Sequence, residues 1–308
     1  MLGTKTPVVN INGIFAKLEC VHPTGSVKDR IAKYILERSK ATGMLQPGQH
    51  IIEATSGNTG IALSFYGREL GHPVTIVMPE NMTEERKDRI RSYGANLILC
   101  SVEGSFAEAA SIRDELAKRN GWFNTDQFSN PLNTECHEKS TGDELIDQMA
   151  GVQLDAFVAG VGTGGTLIGV GRALKRHWPN CKVIAVEPAE SAVMSGGKPG
   201  PHQIFGIGDG FIPEIASNGQ NGLKEMIDEV VVVSSQDAID AAHYLREQHG
   251  FCIGISSGAN YLAATQIQSR MPAVATVFSD GYAKYISHGL CGATLGQCEF
   301  QELCAARA

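Results

Sequence analysis

No two cysteines in this sequence stand at C-x-x-C spacing. The eight (Cys20, Cys100, Cys136, Cys181, Cys252, Cys291, Cys298 and Cys304) are scattered, too sparse for a disulfide scaffold and without the pairing of a zinc or redox site. They read as buried or free thiols of a reducing compartment. No run of about 18 consecutive apolar residues occurs, which excludes a transmembrane helix. Longer uncharged stretches exist, but the one over 156–171 holds six glycines. Basic residues are not in excess: 26 Lys and Arg face 33 Asp and Glu, a net charge of −7. That balance argues against nucleic acid or an anionic membrane as the main partner. The nine histidines form no HxxxH or HExxH pattern, so no metal is expected. There is no short repeat, low-complexity tract or charge block, and no signal-peptide pattern precedes the first apolar run. With 43% hydrophobic and 19% charged residues, intrinsic disorder is excluded. The chain reads as soluble and cytoplasmic.

What it has in quantity is glycine, 35 of 308 residues, above the usual share of roughly 7%. Excess glycine in a folded chain marks loops where backbone comes close to something else. Asn12-Gly13 between Val8–Ile11 and Ile14–Leu18 predicts a hairpin with a type I′ turn. Beyond it, short apolar runs alternate with longer amphipathic ones. Strands are expected at 51–54, 73–78, 96–100, 156–159, 182–187, 229–233 and 273–278. Helices are expected at 31–38, 61–70, 84–93, 106–119, 166–176, 236–248 and 257–270. This is the pattern of parallel sheets wrapped by helices. A division near Pro131–Glu138 predicts two α/β domains with open, twisted, mostly parallel sheets and a cleft between them. The smaller spans 21–132, and the larger 1–20 plus 133–308.

Three glycine-marked segments follow strands, where ligands bind in open α/β sheets: Thr55-Ser56-Gly57-Asn58-Thr59-Gly60, Gly160-Val161-Gly162-Thr163-Gly164-Gly165-Thr166, and Gly254-Ile255-Ser256-Ser257-Gly258. Gly160, Gly162 and Gly165 satisfy GxGxxG, and Glu187 ends the next strand about 20 residues on, as in a dinucleotide fingerprint. The physics asks only for bare backbone N–H groups near a phosphate and a helix N-terminus to stabilise its charge. A mononucleotide, a flavin or pyridoxal phosphate satisfies it as well as a nicotinamide, and so, without any ligand, does a tight strand-to-helix turn.

The segment that discriminates is Ser26-Val27-Lys28-Asp29-Arg30, a lysine after a Pro-x-Gly-Ser turn and before a helix. It precedes, in chain order, the 55–60 and 162–166 loops, Gln127-Phe128, Gly206-Ile207-Gly208, Gly254–Gly258 and Lys284-Tyr285. Taken together these resemble the fold-type II pyridoxal-phosphate enzymes (tryptophan synthase β-like), and among them the cysteine synthase (O-acetylserine sulfhydrylase) and cystathionine β-synthase family. The resemblance covers residues 3 to 286. The tail from Ser287 matches nothing in the family.

The resemblance implies pyridoxal 5'-phosphate as cofactor, held in the cleft by Lys28 as a Schiff base, with Lys28 then serving as the base at Cα. Gly162, Thr163, Gly164, Gly165 and Thr166 would cradle the phosphate, Asn58 would bond the ring hydroxyl, and Ser256 would face the pyridine nitrogen. Thr55, Ser56, Thr59, Gln127 and Gly206 would hold the amino-acid substrate, in the smaller, mobile domain except for Gly206. The implied reaction is β-replacement on a serine-type amino acid through an aminoacrylate, foremost O-acetyl-L-serine and sulfide to L-cysteine and acetate. A homodimer is expected, and serine acetyltransferase is the partner the family suggests.

Two departures matter. Asp209, in Gly208-Asp209-Gly210, stands where such synthases usually carry a small residue. In the family this loop lines the substrate site, so a carboxylate there would repel hydrosulfide yet could deprotonate water or bind an ammonium group. A carboxylate turned to solvent beside a glycine turn is the plainer reading. Asp209 thus brings in an L-cysteine lyase or desulfhydrase, giving sulfide with serine or pyruvate, or a synthase using another nucleophile. Secondly, Lys28 lies closer to the start than in the family, and His22 replaces the usual asparagine before the turn. A non-catalytic partner of serine acetyltransferase is the alternative from a different class, and it would have no use for Lys28, Asn58 and Ser256.

Overall fold

A computed structural model describes residues 5–55, 57–220, 222–286 and 290. Ser56 and the tail from Ser287, apart from Leu290, lie outside the described residues. The chain divides into two compact units, one of Lys28–Leu132 and one of residues 5–27 with 133 onward.

The larger unit opens with strands β1 (Val8–Ile11) and β2 (Ile14–Leu18), paired antiparallel. Asn12 and Gly13 both have positive φ, 52° and 86°, as a type I′ turn requires.

The smaller unit alternates helix and strand: α1 (Lys28–Ala41), β3 (Ile51–Ala54), α2 (Asn58–Glu69), β4 (Val74–Pro79), α3 (Glu84–Ser92), β5 (Asn96–Cys100), α4 (Ser105–Asn120) and β6 (Phe123–Asn124). Its sheet runs β5-β4-β3-β6, all parallel. Every residue of β3 and β4 is buried, as expected of a parallel strand covered by helices on both faces. Ile51, Ile61, Leu63, Val74, Ile76 and Ile90 form the core on one side of that sheet.

The chain then returns to the larger unit through α5 (Pro131–His137), a π-turn over Glu138–Gly142, and α6 (Asp143–Gln148). After these come β7 (Ala156–Gly160), α7 (Gly165–His177), β8 (Lys182–Pro188), β9 (Glu229–Val233), α8 (Ser235–His249), α9 (Ile255–Gln268) and β10 (Val274–Phe278). The sheet order is β1-β2-β10-β7-β8-β9, parallel except for the β1–β2 hairpin. The fold is therefore two α/β domains with mostly parallel sheets. Helix α7 buries Leu167, Ile168, Val170, Ala173 and Leu174. Gly169 and Gly171 let it lie close to α5 and β8, since side chains there would meet the Thr134 backbone and Val183.

Several elements start earlier than their apolar periodicity indicates. Lys28 is itself the first residue of α1, Asn58 of α2 and Ile255 of α9. These first turns bury polar and glycine residues, among them Asp29, Arg30, Thr59, Gly60, Ser256 and Ser257, so burial there leaves little hydrophobic signal. The five cysteines at 20, 100, 136, 181 and 252 are buried thiols. Burial pushes the Cys181 thiol up to about 12 and raises Cys100 as well, which disfavours the thiolate form of each. Among the described residues, no helix is long and apolar enough to cross a membrane.

Candidate functional site

The smaller unit gathers its site residues around the end of β3. Lys28 begins α1, which packs against α2 and is tied to it by the Tyr66 hydroxyl donating to Asp29 Oδ1 at 3.3 Å. Thr55 follows β3 directly, and its hydroxyl accepts from the Gly57 amide at 3.2 Å. Asn58 and Thr59 then form the first turn of α2, whose leading amides lie outside the helical ladder at the positive end of its dipole. Thr59 is buried and donates to Gln127 Oε1 at 2.6 Å, while Gln127 Nε2 donates to the Ala54 carbonyl at 3.1 Å. Thr55, Thr59 and Gln127 are thus one constellation at a helix start, a setting suited to a carboxylate.

Below this constellation lies Glu53, fully buried in β3. Its Oε1 accepts from Arg113 Nη1 at 3.1 Å and from the Ala54 amide at 2.8 Å. Its Oε2 accepts from the Thr125 hydroxyl at 2.6 Å and the Gln127 amide at 3.0 Å. Burial pushes this carboxyl up, against the opposing pull of Arg113 and the other donors. Asp126, just before Gln127, holds a positive φ of 46°, unusual for a residue with a side chain.

The larger unit collects a second group at the ends of β7 and β8. In the loop after β7, Gly164 has a φ of +85°, and α7 begins at Gly165. A Cβ at Gly162 would collide with the Gly206 carbonyl oxygen, and one at Gly165 with Asn133 Oδ1. The Thr163 hydroxyl accepts from Asn133 Nδ2 at 3.0 Å, which leaves its own proton to donate. Thr166 Oγ1 lies 3.2 Å from His137 Nε2.

The loop carrying Asp209 is braced on this one. The Gly208 amide donates to the Val161 carbonyl at 3.0 Å, and the Gly208 carbonyl accepts from Ser191 at 3.2 Å and meets His202 Nε2 at 2.9 Å. Gly206, Gly208 and Gly210 all have positive φ. Asp209 is half-buried between the last two. Ser256 sits buried in the first turn of α9. That helix is clamped by Asn260, whose Oδ1 accepts from the Gly160 amide at 2.8 Å and whose Nδ2 donates to the Val277 carbonyl at 2.9 Å.

The residues present fit the implied pyridoxal phosphate. The 162–166 loop is bare backbone leading into a thirteen-residue helix, flanked by threonine hydroxyls, which is what a phosphate dianion requires. Ser256 offers a neutral hydroxyl for a ring nitrogen. Sequence reasoning did not single out Glu53, Asn133, His137 or Asn260 as parts of the site. Asn133, His137 and Asn260 lie outside the glycine motifs, Glu53 stands at the head of one, and each also bonds a residue distant in sequence, so no local signal gives them a role.

The family profile described as pyridoxal-phosphate dependent enzyme matches residues 1–280. A cysteine synthase of Staphylococcus aureus (strain N315) is 40% identical over 293 residues, 92% of this chain and 93% of that protein. Among solved structures, a hydrogen sulfide-producing enzyme from Fusobacterium nucleatum gives a TM-score of 0.87 at 40% identity, covering 98% of this chain and 93% of that one. A second structure of that enzyme, an aspartate-to-asparagine mutant in complex with the α-aminoacrylate intermediate, gives 0.87 at 39% with the same coverage. A cysteine synthase from Entamoeba histolytica gives 0.87 at 36%, covering 98% and 92%.

Proposed function

The chain belongs to the pyridoxal-phosphate dependent enzymes, and on that footing we propose that it converts L-cysteine and water to L-serine and hydrogen sulfide. β-Replacement of the cysteine synthase type is the common ground with its relatives; the choice of nucleophile is the proposal. The observation that carries it is Asp209, a half-buried carboxylate on a loop bonded through Gly208 to the glycine-loop backbone. Such a carboxylate disfavours an anionic nucleophile such as hydrosulfide and accepts a proton from a neutral one. The Fusobacterium enzyme supports this reading: it is a sulfide producer, and its aspartate-to-asparagine mutant is the form found with the α-aminoacrylate intermediate.

Pyridoxal phosphate, when bound, supplies the electron sink that makes the Cα proton acidic and lets a β-substituent leave. The chain's own groups do the rest. Thr55, Thr59 and Gln127 hold the substrate carboxylate, and Gly162–Thr166 hold the cofactor phosphate. Asn58 and Ser256 orient the ring, and Gly206 shapes the substrate's side. Lys28 takes the proton from Cα, and the sulfur leaves Cβ as hydrosulfide with the electron pair of the C–S bond. As a water oxygen bonds to Cβ, the Asp209 carboxylate accepts its proton. Lys28 returns a proton to Cα, and the proton on Asp209 leaves with hydrosulfide as hydrogen sulfide. Atoms and charge balance with no oxidant or reductant.

The Staphylococcus relative favours a second reading, cysteine formation from O-acetylserine and sulfide. The two separate on Asp209→Asn. Serine and sulfide formation from cysteine should fall by roughly 10²–10⁴-fold, the usual worth of a general base, while cysteine formation from O-acetylserine holds or rises. Chromatography of the amino-acid products together with a sulfide assay checks this. An unchanged ratio of the two activities would overturn the water reading.

A further inference from the structure

The carboxylate constellation of the smaller unit is held in place from below. Glu53 accepts four hydrogen bonds, and two of them, from the Thr125 hydroxyl and the Gln127 amide, reach the loop that presents Gln127. The others come from Arg113 and from Ala54. Ala54 in turn accepts from the Gln127 side chain, whose oxygen receives the Thr59 hydroxyl. All four neighbours of Glu53 donate, so both its oxygens act as acceptors. The Asp126 backbone between Thr125 and Gln127 is in a positive-φ conformation, which persists only where surroundings over-determine it. The bonds to Glu53 on either side of Asp126 contribute to that constraint, together with Asn124 Oδ1, which accepts the Asp126 amide at 3.0 Å, and the Asn130 amide, which donates to its carbonyl at 2.9 Å.

We propose that Glu53 is a positioning residue for amino-acid binding, fixing the Gln127 amide and through it Thr59 so that the α2 start meets the substrate carboxylate. This rests on the assignment of Thr55, Thr59 and Gln127 to that carboxylate made above. Glu53→Gln places an NH₂ among donors, so one pair must turn away. Thr125→Val keeps volume and removes one of the two bonds to the loop, and Thr125→Ser keeps the bond and loses a methyl.

The test uses the holoenzyme, with L-cysteine and O-acetyl-L-serine as probes. Initial rates and the change in the cofactor's visible absorption on amino-acid titration are both measured. Glu53→Gln is expected to raise KM and the titration midpoint by roughly 10- to 100-fold, and Thr125→Val by roughly tenfold. Thr125→Ser stays within about twofold, and in all three kcat and the cofactor band before titration hold within about threefold. Thr125→Val reads the same loop should Glu53→Gln fail to fold. Midpoints in Thr125→Val no higher than in Thr125→Ser would overturn the proposal, as would kcat and cofactor retention falling together with affinity. A wild-type band that no amino acid moves overturns the assignment this rests on, and the inference with it. A responsive wild type with unmoved variants overturns the inference alone.

Discussion

Asn133 illustrates how a single side chain serves the phosphate loop without touching its motif. Its Nδ2 donates to the Thr163 hydroxyl at 3.0 Å, and its Oδ1 occupies the space a side chain at Gly165 would need. Asn133→Ala leaves Thr163 free to rotate and opens a gap beneath the loop. The dissociation constant for pyridoxal phosphate should rise roughly tenfold, the usual cost of one lost polar contact, as read by absorbance titration of the stripped enzyme. An unchanged constant would mean that Thr163 is oriented by something else. Lys28, Asn58, Ser256 and the glycine loop stand out in the sequence as candidates because each sits in a contiguous motif whose chemistry is local. Glu53 does not, because its bond to the Gln127 amide spans 74 residues. A buried glutamate in an apolar run reads only as an interruption until its donors are known.

Elements behave differently, because their boundaries rest on backbone chemistry as much as on apolar pattern. The Asn12-Gly13 turn was legible because positive φ at two successive positions selects those residues. The α5–α6 segment was missed: Pro131 opens it, a π-turn interrupts its period, and part of its packing is against the bare Gly169 backbone of α7. Where β9 joins β8, one side chain fixes the approach. Asp228 receives Lys175 at 2.7 Å, Lys182 at 3.0 Å and the Val183 amide at 2.8 Å. Burial pushes this carboxyl up, but the bonds from Lys175, Val183 and Lys182 outweigh it and hold it below the usual range. A pKa depressed on folding contributes stability that is full above the unfolded value of about 3.9. That contribution is lost as pH falls through the folded value. Asp228→Asn should therefore lose roughly 1 kcal/mol at pH 7, after allowance for solvent screening of the half-buried Lys175 and the exposed Lys182. The deficit should begin to shrink as pH falls below about 3.9. Urea unfolding at pH 7, 5 and 3.5 measures it, and a deficit constant across that range would rule out an ionic origin.

At the scale of the molecule, the alternation of strands and helices was legible throughout, while the order of the strands was not. The last strand, β10, lies between β2 and β7, a placement set by pairings more than a hundred residues apart that no local window contains. It matters for function because it brings α9, with Ser256, beside the loop that follows β7, through Asn260. The loop proposed to hold the cofactor phosphate is thus continuous with the core of the larger unit, and loading it should stabilise the fold as a whole. A ligand bound only by the folded state contributes about 2.7 kcal/mol at a hundred times its dissociation constant. For a chain of this length that corresponds to roughly 4 °C in Tm. Scanning fluorimetry of the stripped protein should show this rise with pyridoxal 5'-phosphate at saturation. Pyridoxal, which lacks the phosphate but keeps the aldehyde and ring, should give less than about half of it, because the bare amides of residues 162–166 then hold no anion. Equal shifts from the two would remove the phosphate from the role assigned to that loop.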